Sequence, residues 1–192
     1  MAKITAYSLA QPALAVADIE VAVDRMHDLL GAVPSERLPG RNTVYAFENE
    51  TFLELLGPVN EQHTRWRFLK SFGPGLYMFC VDLQIDDLDE VEAELHRRGK
   101  RIVEGGRDRY DGNVHAGWHI HPHDACNLLM LLAVKADSRD NGLWAGLGYR
   151  AYMGGNTRFA REIRGVLART AKPEQEAPCF AAMGFQMTPH GV

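Results

Sequence analysis

Cysteine is scarce in this sequence, and it contains no long apolar run. Three cysteines, at positions 80, 126 and 179, are too few and too widely spaced for a zinc pattern or an even set of disulfides. No apolar run is long enough to cross a bilayer, and the start of the sequence, MAKITAYSLAQPALAVAD, lacks the long apolar stretch of a signal peptide. We therefore expect a reduced, cytoplasmic protein with no membrane partner.

An excess of charge of either sign is also missing. The formal net charge is -4, and neither a basic patch nor an acidic tail stands out, which argues against a nucleic-acid partner. The chain has 192 residues, of which 46% are hydrophobic, so it is long enough to bury a core without disulfides or metals. These values suit one globular domain or two small fused modules.

One order of elements is predicted twice along the chain. Ala13 to Gly31 reads as a short strand, an N-cap at Asp18, and a helix that ends at Gly31. Met78 to Lys100 repeats this order, with Asp87 as the cap. Each helix precedes three strand-like runs, which are Val33–Leu38, Thr43–Glu48 and Thr51–Gly57 in the first half, and Arg101–Glu104, Val114–His121 and Asn127–Val134 in the second half.

The repeat predicts an α+β fold of two βαβββ modules, at about 11–57 and 76–134, within a domain that spans residues 1–135. Two such modules can form a curved mixed sheet with a central cleft. Residues 136–192 have no counterpart in the repeat, and we expect this extension to pack on the domain or on a partner subunit. Within it, Asn156 is predicted to cap a helix over Thr157–Thr170 with an apolar stripe from Phe159 to Leu167.

An isolated carboxylate lies in the last predicted strand of the first module, in the segment NETFLELLGP (Asn49 to Pro58). Read with a strand period, Glu54 shares one face with Phe52 and Leu56. A buried, unpaired carboxylate is expensive, so it usually binds something or changes its protonation state. We interpret Glu54 as a ligand-site residue; the alternative is a carboxylate paired with a nearby arginine such as Arg41.

Four histidines lie close together in NVHAGWHIHPHD (Asn113 to Asp124). On a strand, His115, His119 and His121 alternate onto one face, although a glycine interrupts the set. Such histidines suit acid/base chemistry or a metal site near neutral pH. We take His119 and His121 as candidate catalytic residues; the alternative is that they are surface or turn residues.

Other candidate site residues have equally plain alternatives. Tyr45 and Phe47 share a face of the third predicted strand, where they either line the cleft as substrate-binding residues or pack in the core. Cys80 lies on an apolar strand and is either a ligand contact or a small core residue. Gln11 precedes Pro12 and is either a ligand-site residue or an exposed polar one.

Several sequence segments carry a family resemblance. The repeat, together with TFLELLGP, FLKSFGPGLYMFCVDL and HPHDACNLLML, resembles the vicinal oxygen chelate superfamily, which includes glyoxalase I, extradiol dioxygenases and bleomycin-resistance proteins. The methylmalonyl-CoA epimerase branch is the most similar, and the resemblance covers about residues 11–135. It implies the double-module fold, a homodimer and a small-molecule ligand.

The resemblance also implies a divalent metal held by four side chains, two from each module. The first-strand position falls on Gln11 and the fourth-strand glutamate on Glu54, which makes these two the candidate metal ligands. The second module's histidine position falls on Met78 or Cys80, and its glutamate position falls on Leu131, so the set is incomplete. Because a hard dication needs several oxygen or imidazole ligands, we expect no metal or a weakly bound one.

Two functions follow from the resemblance. The first is a glyoxalase- or epimerase-like isomerase or lyase that moves a proton next to the carbonyl of a small carbonyl compound or acyl thioester. In this reading Glu54 is the base, and Gln11 and a histidine such as His119 hold the substrate oxygen. The second is a metal-free protein of the same superfamily that binds and sequesters a small molecule.

Overall fold

A computed structural model describes residues 4–34, 36–49, 51–85, 90–110, 113–125, 128–134, 157–166, 172–182 and 185. The strands are β1 (Ile4–Ala15), β2 (Glu36–Leu38), β3 (Asn42–Ala46), β4 (Phe52–Leu56), β5 (Gly75–Ile85), β6 (Ile102–Tyr110), β7 (Asn113–Ile120) and β8 (Leu129–Val134). The α-helices are α1 (Ile19–Leu30), α2 (Thr64–Phe72), α3 (Val91–Arg97) and α4 (Pro173–Ala182), and a 3-10 turn covers Pro122–Asp124.

The fold is α+β and contains the two expected βαβββ modules. In the first module the strand order is β2-β3-β4-β1, with β1 parallel to β4 and the other neighbours antiparallel. In the second module the order is β5-β8-β7-β6, in which β8, β7 and β6 are antiparallel neighbours. The described chain forms two compact units: 9–79 with 157–165, and the described parts of 4–8, 80–134 and 166–185.

Helix α1 begins and ends where the sequence predicts. Asp18 has an extended backbone, and its Oδ1 accepts hydrogen bonds from the backbone N–H groups of Glu20 (2.9 Å) and Val21 (3.2 Å). These bonds satisfy two donors that have no partner within the helix. Gly31 ends the helix with a φ of 58°, in the left-handed region that favours glycine.

The first module buries one face of its sheet against α1. Tyr45 from β3 and Leu55 from β4 are fully buried, and they pack with Ile19 and Val23 of the helix. Because side chains alternate along a strand, the residues next in sequence, including Glu54, point to the opposite face. The packing of α1 therefore fixes which face of β4 carries the carboxylate.

In the second module, packing against α3 likewise fixes which side chains of β7 point away from the helix. Trp118 of β7 is 1% exposed, and its indole N–H donates to Glu92 Oε1 of α3 at 2.9 Å. Trp118 therefore points toward α3, and its neighbour His119 points away from this helix. Strand β6 is longer than the predicted Arg101–Glu104 run and has a register shift between Ile102 and Glu104.

The helices differ from the sequence prediction in two places, after β4 and at residues 157–166. The linker after β4 contains α2, which starts after His63, whose Nδ1 accepts from the Arg65 backbone N–H at 3.1 Å. The helix predicted over Thr157–Thr170 is wrong for residues 157–166, which are not helical, while 167–170 lie outside the described residues. The C-terminal extension does contain a helix, but this helix is α4.

Tertiary hydrogen bonds explain why residues 157–166 are not helical. The backbone N–H groups of Arg158 and Phe159 donate to Leu30 O, at 3.0 and 2.9 Å. Glu48 N donates to Arg161 O at 2.9 Å. The carbonyl of Arg161, which would accept a bond within the predicted helix, is thus used on the first module, and Phe159 of the predicted stripe is 65% exposed.

No helix in the described ranges is long and apolar enough to cross a membrane.

Candidate functional site

Glu54 lies between two side-chain amides. Gln11 Nε2 donates to Glu54 Oε2 at 2.6 Å, and Asn42 Nδ2 donates to Glu54 Oε1 at 3.1 Å. Each carboxylate oxygen therefore accepts a hydrogen bond from a neutral amide, and such charge-assisted bonds are stronger than bonds between neutral groups. We call Gln11, Asn42 and Glu54 the carboxylate cluster.

Strand register brings the carboxylate cluster together. Ala13 of β1 and Val44 of β3 are the cross-strand partners of Glu54 on either side. Gln11 lies two residues before Ala13, and Asn42 lies two residues before Val44. Both amides therefore share the face of Glu54, at diagonal positions from which a long side chain reaches its neighbour.

Burial limits the freedom of this cluster. Gln11 is 3% exposed, whereas Glu54 and Asn42 are partly exposed. Gln11 is therefore buried, and the alternative of an exposed polar residue does not hold. A buried amide needs a partner for its N–H group, and Glu54 supplies one. The carboxylate is thus fixed in orientation yet partly open to solvent.

Asn42 is a member of the carboxylate cluster that the sequence reasoning missed. It follows the turn residues Gly40 and Arg41 and reads as part of the turn. Its position becomes informative only when β3 and β4 are aligned, because Asn42 pairs with Leu56, two residues from Glu54. The sequence did offer one signal. A polar residue begins the predicted strand, and it shares a face with a carboxylate in the next strand.

Tyr45 and Phe47 lie in the core of the first module. They are 0% and 6% exposed and pack in the cluster that includes Ile19 and Val23. Tyr45 pairs with Leu53, so its side chain is on the face opposite Glu54. Both rings therefore pack in the core, which was the alternative to lining a cleft, and neither lies beside the carboxylate cluster.

His119 lies opposite the position of a missing family ligand. It pairs with Leu131 of β8, where the resemblance places a glutamate, and with Glu104 of β6. Cross-strand partners share a face, so His119 and Leu131 both point away from α3. In the first module the matching pair is Val44 of β3 and Glu54 of β4. The second module therefore carries its ionisable residue on β7, the counterpart of β3, and has a leucine on β8, the counterpart of β4.

His121 is engaged in a turn rather than in a strand. Its Nδ1 accepts from the His123 backbone N–H at 3.2 Å and thereby caps the 3-10 turn. Its ring stacks on the ring of His123 with centroids 5.6 Å apart. Strand β7 ends at Ile120, one residue before His121, so the predicted alternation of His119 and His121 on one strand face stays a prediction.

The side chains at the expected metal positions do not make a complete ligand set. Gln11 and Glu54 offer hard oxygen ligands, but the amide nitrogen of Gln11 points at the carboxylate. In the second module Cys80 is fully buried and offers a soft sulfur, while Leu131 offers no ligand atom. No group of three or more histidine, cysteine, aspartate or glutamate residues suited to a metal occurs in the part of the chain that is described. These residues do not fit a tightly held hard dication.

Comparisons with known structures agree with this architecture. A methylmalonyl-CoA epimerase from Mycobacterium tuberculosis is 28% identical, with a TM-score of 0.56, over 68% of this chain and 89% of the other. A Streptomyces coelicolor methylmalonyl-CoA epimerase variant bound to 2-nitronate-propionyl-CoA is 18% identical, with a TM-score of 0.55, over 69% and 99% of the two chains. A methylmalonyl-CoA epimerase bound to methylmalonyl-CoA and NH4+ is also 18% identical, with a TM-score of 0.56, over 69% and 97%.

A family comparison gives the same result. No curated protein matches the chain. A family model described as a glyoxalase-like domain matches residues 12–128, which is more than half of the 192 residues. The protein therefore belongs to the glyoxalase-like domain family, within the vicinal oxygen chelate superfamily.

Proposed function

We propose that the protein is an epimerase-like enzyme that moves a proton at the carbon next to the carbonyl of a small carbonyl compound or acyl thioester. The observation that carries this proposal is the carboxylate cluster, in which Glu54 is held by two amides on the face away from α1. The likeness to methylmalonyl-CoA epimerases supports the choice of substrate class.

Glu54 has the properties required of a general base. An ionised carboxylate has about four lone-pair positions. The two amide bonds use one lone pair on each oxygen. The amides also fix the orientation of the carboxylate, which reduces the entropy lost on reaching the reactive geometry. In the proposed step Glu54 removes the proton and the bonding electrons move to the carbonyl oxygen. The enolate carbon then takes up a proton from solvent, and uptake on the face opposite Glu54 inverts the centre.

The enolate oxygen formed in this step needs a hydrogen-bond donor. Gln11 and Asn42 each have a second amide N–H beyond the one given to Glu54. The role expected for His119 from the sequence stays a prediction, which a His119→Gln variant tests. No step is assigned to a metal, because the ligand set is incomplete.

Proton exchange in heavy water tests the proposal. Methylmalonyl-CoA, the compound bound in one of the similar structures, is incubated with the protein in D2O, and deuterium at its α-carbon is followed by NMR. We expect exchange above the uncatalysed rate and a loss of about 100-fold or more in Glu54→Gln, the range for removing a general base. Glu61→Gln is the matched control, because Glu61 is an exposed carboxylate outside the cluster and its loss should change nothing.

The second candidate function is metal-free binding of a small molecule. Leu131 and the fully buried Cys80 favour it, because they replace hard ligands by apolar or soft groups. In that case acyl thioesters quench tryptophan fluorescence saturably, yet neither they nor 2-oxo compounds exchange protons. Absence of exchange across such a panel would refute the enzyme proposal and leave the binding function.

A further inference from the structure

A lysine and a cysteine meet at a backbone carbonyl in the second unit. Lys100 Nζ donates to Asp124 O at 2.8 Å and to Cys179 Sγ at 3.3 Å. The Cys179 thiol itself donates a hydrogen bond to Asp124 O at 2.8 Å. Lys100 follows α3, Asp124 ends the 3-10 turn and Cys179 is on α4, so three separate segments place these groups together. We call them the Lys100–Cys179 cluster.

The buried ammonium group of Lys100 has no carboxylate partner in the part of the chain that the structure describes. Lys100 is 7% exposed, and the carbonyl of Asp124 and the sulfur of Cys179 are its hydrogen-bond acceptors in the described residues. The carboxylate of Asp124 is bound instead to Arg101, through Nε at 2.8 Å and a second guanidinium nitrogen at 3.2 Å. A buried charge is costly unless it is paired with an opposite charge.

Within the described ranges, the thiol of Cys179 is the ionisable side chain that contacts the Lys100 ammonium. The ammonium donates a hydrogen bond to this sulfur, and a neighbouring lysine is a typical feature of the surroundings of reactive cysteines. Cys179 is also partly exposed, whereas Cys80 is fully buried. Low-molecular-weight reagents thus have access to the thiol beside a cation and not to the thiol of Cys80. The third cysteine, Cys126, lies outside the described residues.

We propose that Cys179 is an oxidation site for hydroperoxides, activated by Lys100. The sulfur attacks one oxygen of the hydroperoxide, an S–O bond forms and the O–O bond breaks. The sulfur is oxidised by two electrons to a sulfenic acid, and the hydroperoxide is reduced and leaves as an alcohol, or as water from hydrogen peroxide, with the thiol proton. The Lys100 ammonium then donates a hydrogen bond to the new oxygen.

Limiting hydrogen peroxide on the full-length chain tests the site. Sulfenic acid is trapped with a 1,3-dicarbonyl reagent, and peptide mass spectrometry reports all three cysteines in the same sample. We expect Cys179 to react first, and to react faster in the native chain than in the chain unfolded in urea. Lys100→Met keeps the length of the side chain without its charge and should slow the reaction on the order of threefold or more. Lys100→Arg keeps a charge and should retain part of the rate.

Several results would overturn the proposal. These are earlier reaction of Cys80 or Cys126, a native rate at Cys179 no higher than the unfolded rate, or an unchanged rate in Lys100→Met. If Lys100→Met does not fold by circular dichroism, the comparison of native and unfolded wild-type chains decides alone, because a thiol that is merely buried reacts more slowly when folded.

Discussion

Replacing Glu54 by glutamine tests the carboxylate cluster most directly. Both oxygens of Glu54 accept amide hydrogen bonds. A glutamine keeps one oxygen for one amide and turns an N–H group toward the other. The variant therefore loses one hydrogen bond to a charged acceptor. If the lost partner is Gln11, which is 3% exposed, its amide N–H faces the N–H group of the new glutamine.

The size of this effect follows from the hydrogen bonds. Bonds to charged groups contribute about 1.5–3 kcal/mol each, and the partial exposure of Glu54 favours the lower part of this range. We expect the free energy of unfolding to fall by about 2 kcal/mol. For a chain of this length that is a loss of about 4–8 °C in Tm. A carboxylate buried without partners would give the opposite result, because its removal would be neutral or stabilising.

A second substitution separates stability from chemistry. In the double variant Asn42→Asp, Glu54→Gln, the new glutamine donates to the aspartate and accepts from Gln11, so both hydrogen bonds are restored with one negative charge. We expect the free energy of unfolding to return to within about 1 kcal/mol of the wild type. Proton exchange should stay low, because the carboxylate now lies on β3.

Thermal melting and α-proton exchange, measured on the wild type, both single variants and the double variant, complete this test. An unchanged or higher Tm in Glu54→Gln would refute the two-amide geometry. Exchange restored in the double variant would refute the role of Glu54 as the base while leaving the geometry intact. Asn42→Asp alone adds a second carboxylate beside the first and should be destabilising, because like charges in contact repel.

Local signals allowed much of the fold to be predicted from the sequence. Asp18 and Gly31 delimit α1 as expected, because capping and left-handed backbone depend on neighbouring residues. The six strands that follow the two predicted helices are present, with ends that differ by a few residues, most in β6. Helix α2 was missed because its cap is His63, which is not among the usual capping residues.

Long-range partners could not be predicted in the same way. Residues 157–166 carry a helical apolar period, yet Asn49 Nδ2 donates to Ile163 O, and Ile163 N donates to Thr51 Oγ1, both at 3.2 Å. Periodicity does not record such tertiary competition. Glu54 was recognised from its apolar strand and Gln11 from the family resemblance, but Asn42 required the register of β3 against β4.

Two further predictions concern structure outside the carboxylate cluster. The Arg101 guanidinium, by hydrogen bonding, lowers the pKa of Asp124 from 3.8 to about 2, so this stabilisation is present above about pH 4 and is lost as the pH falls toward 2. Asp124→Asn should therefore flatten the fall of Tm with pH in that window, and an unchanged acid profile would contradict the pairing. Gly31→Ala and Gly40→Ala form a matched pair, because both glycines have a left-handed backbone, with φ of 58° and 71°. Each should cost about 1 kcal/mol for the backbone. A Cβ at Gly31 would also lie 2.7 Å from the Arg158 Cβ, whereas a Cβ at Gly40 meets nothing within 4 Å. Gly31→Ala should consequently lower Tm more than Gly40→Ala, and in a chain cut after residue 135 this difference should vanish. Equal losses in the uncut chain would mean that residues 157–165 do not hold their place against α1.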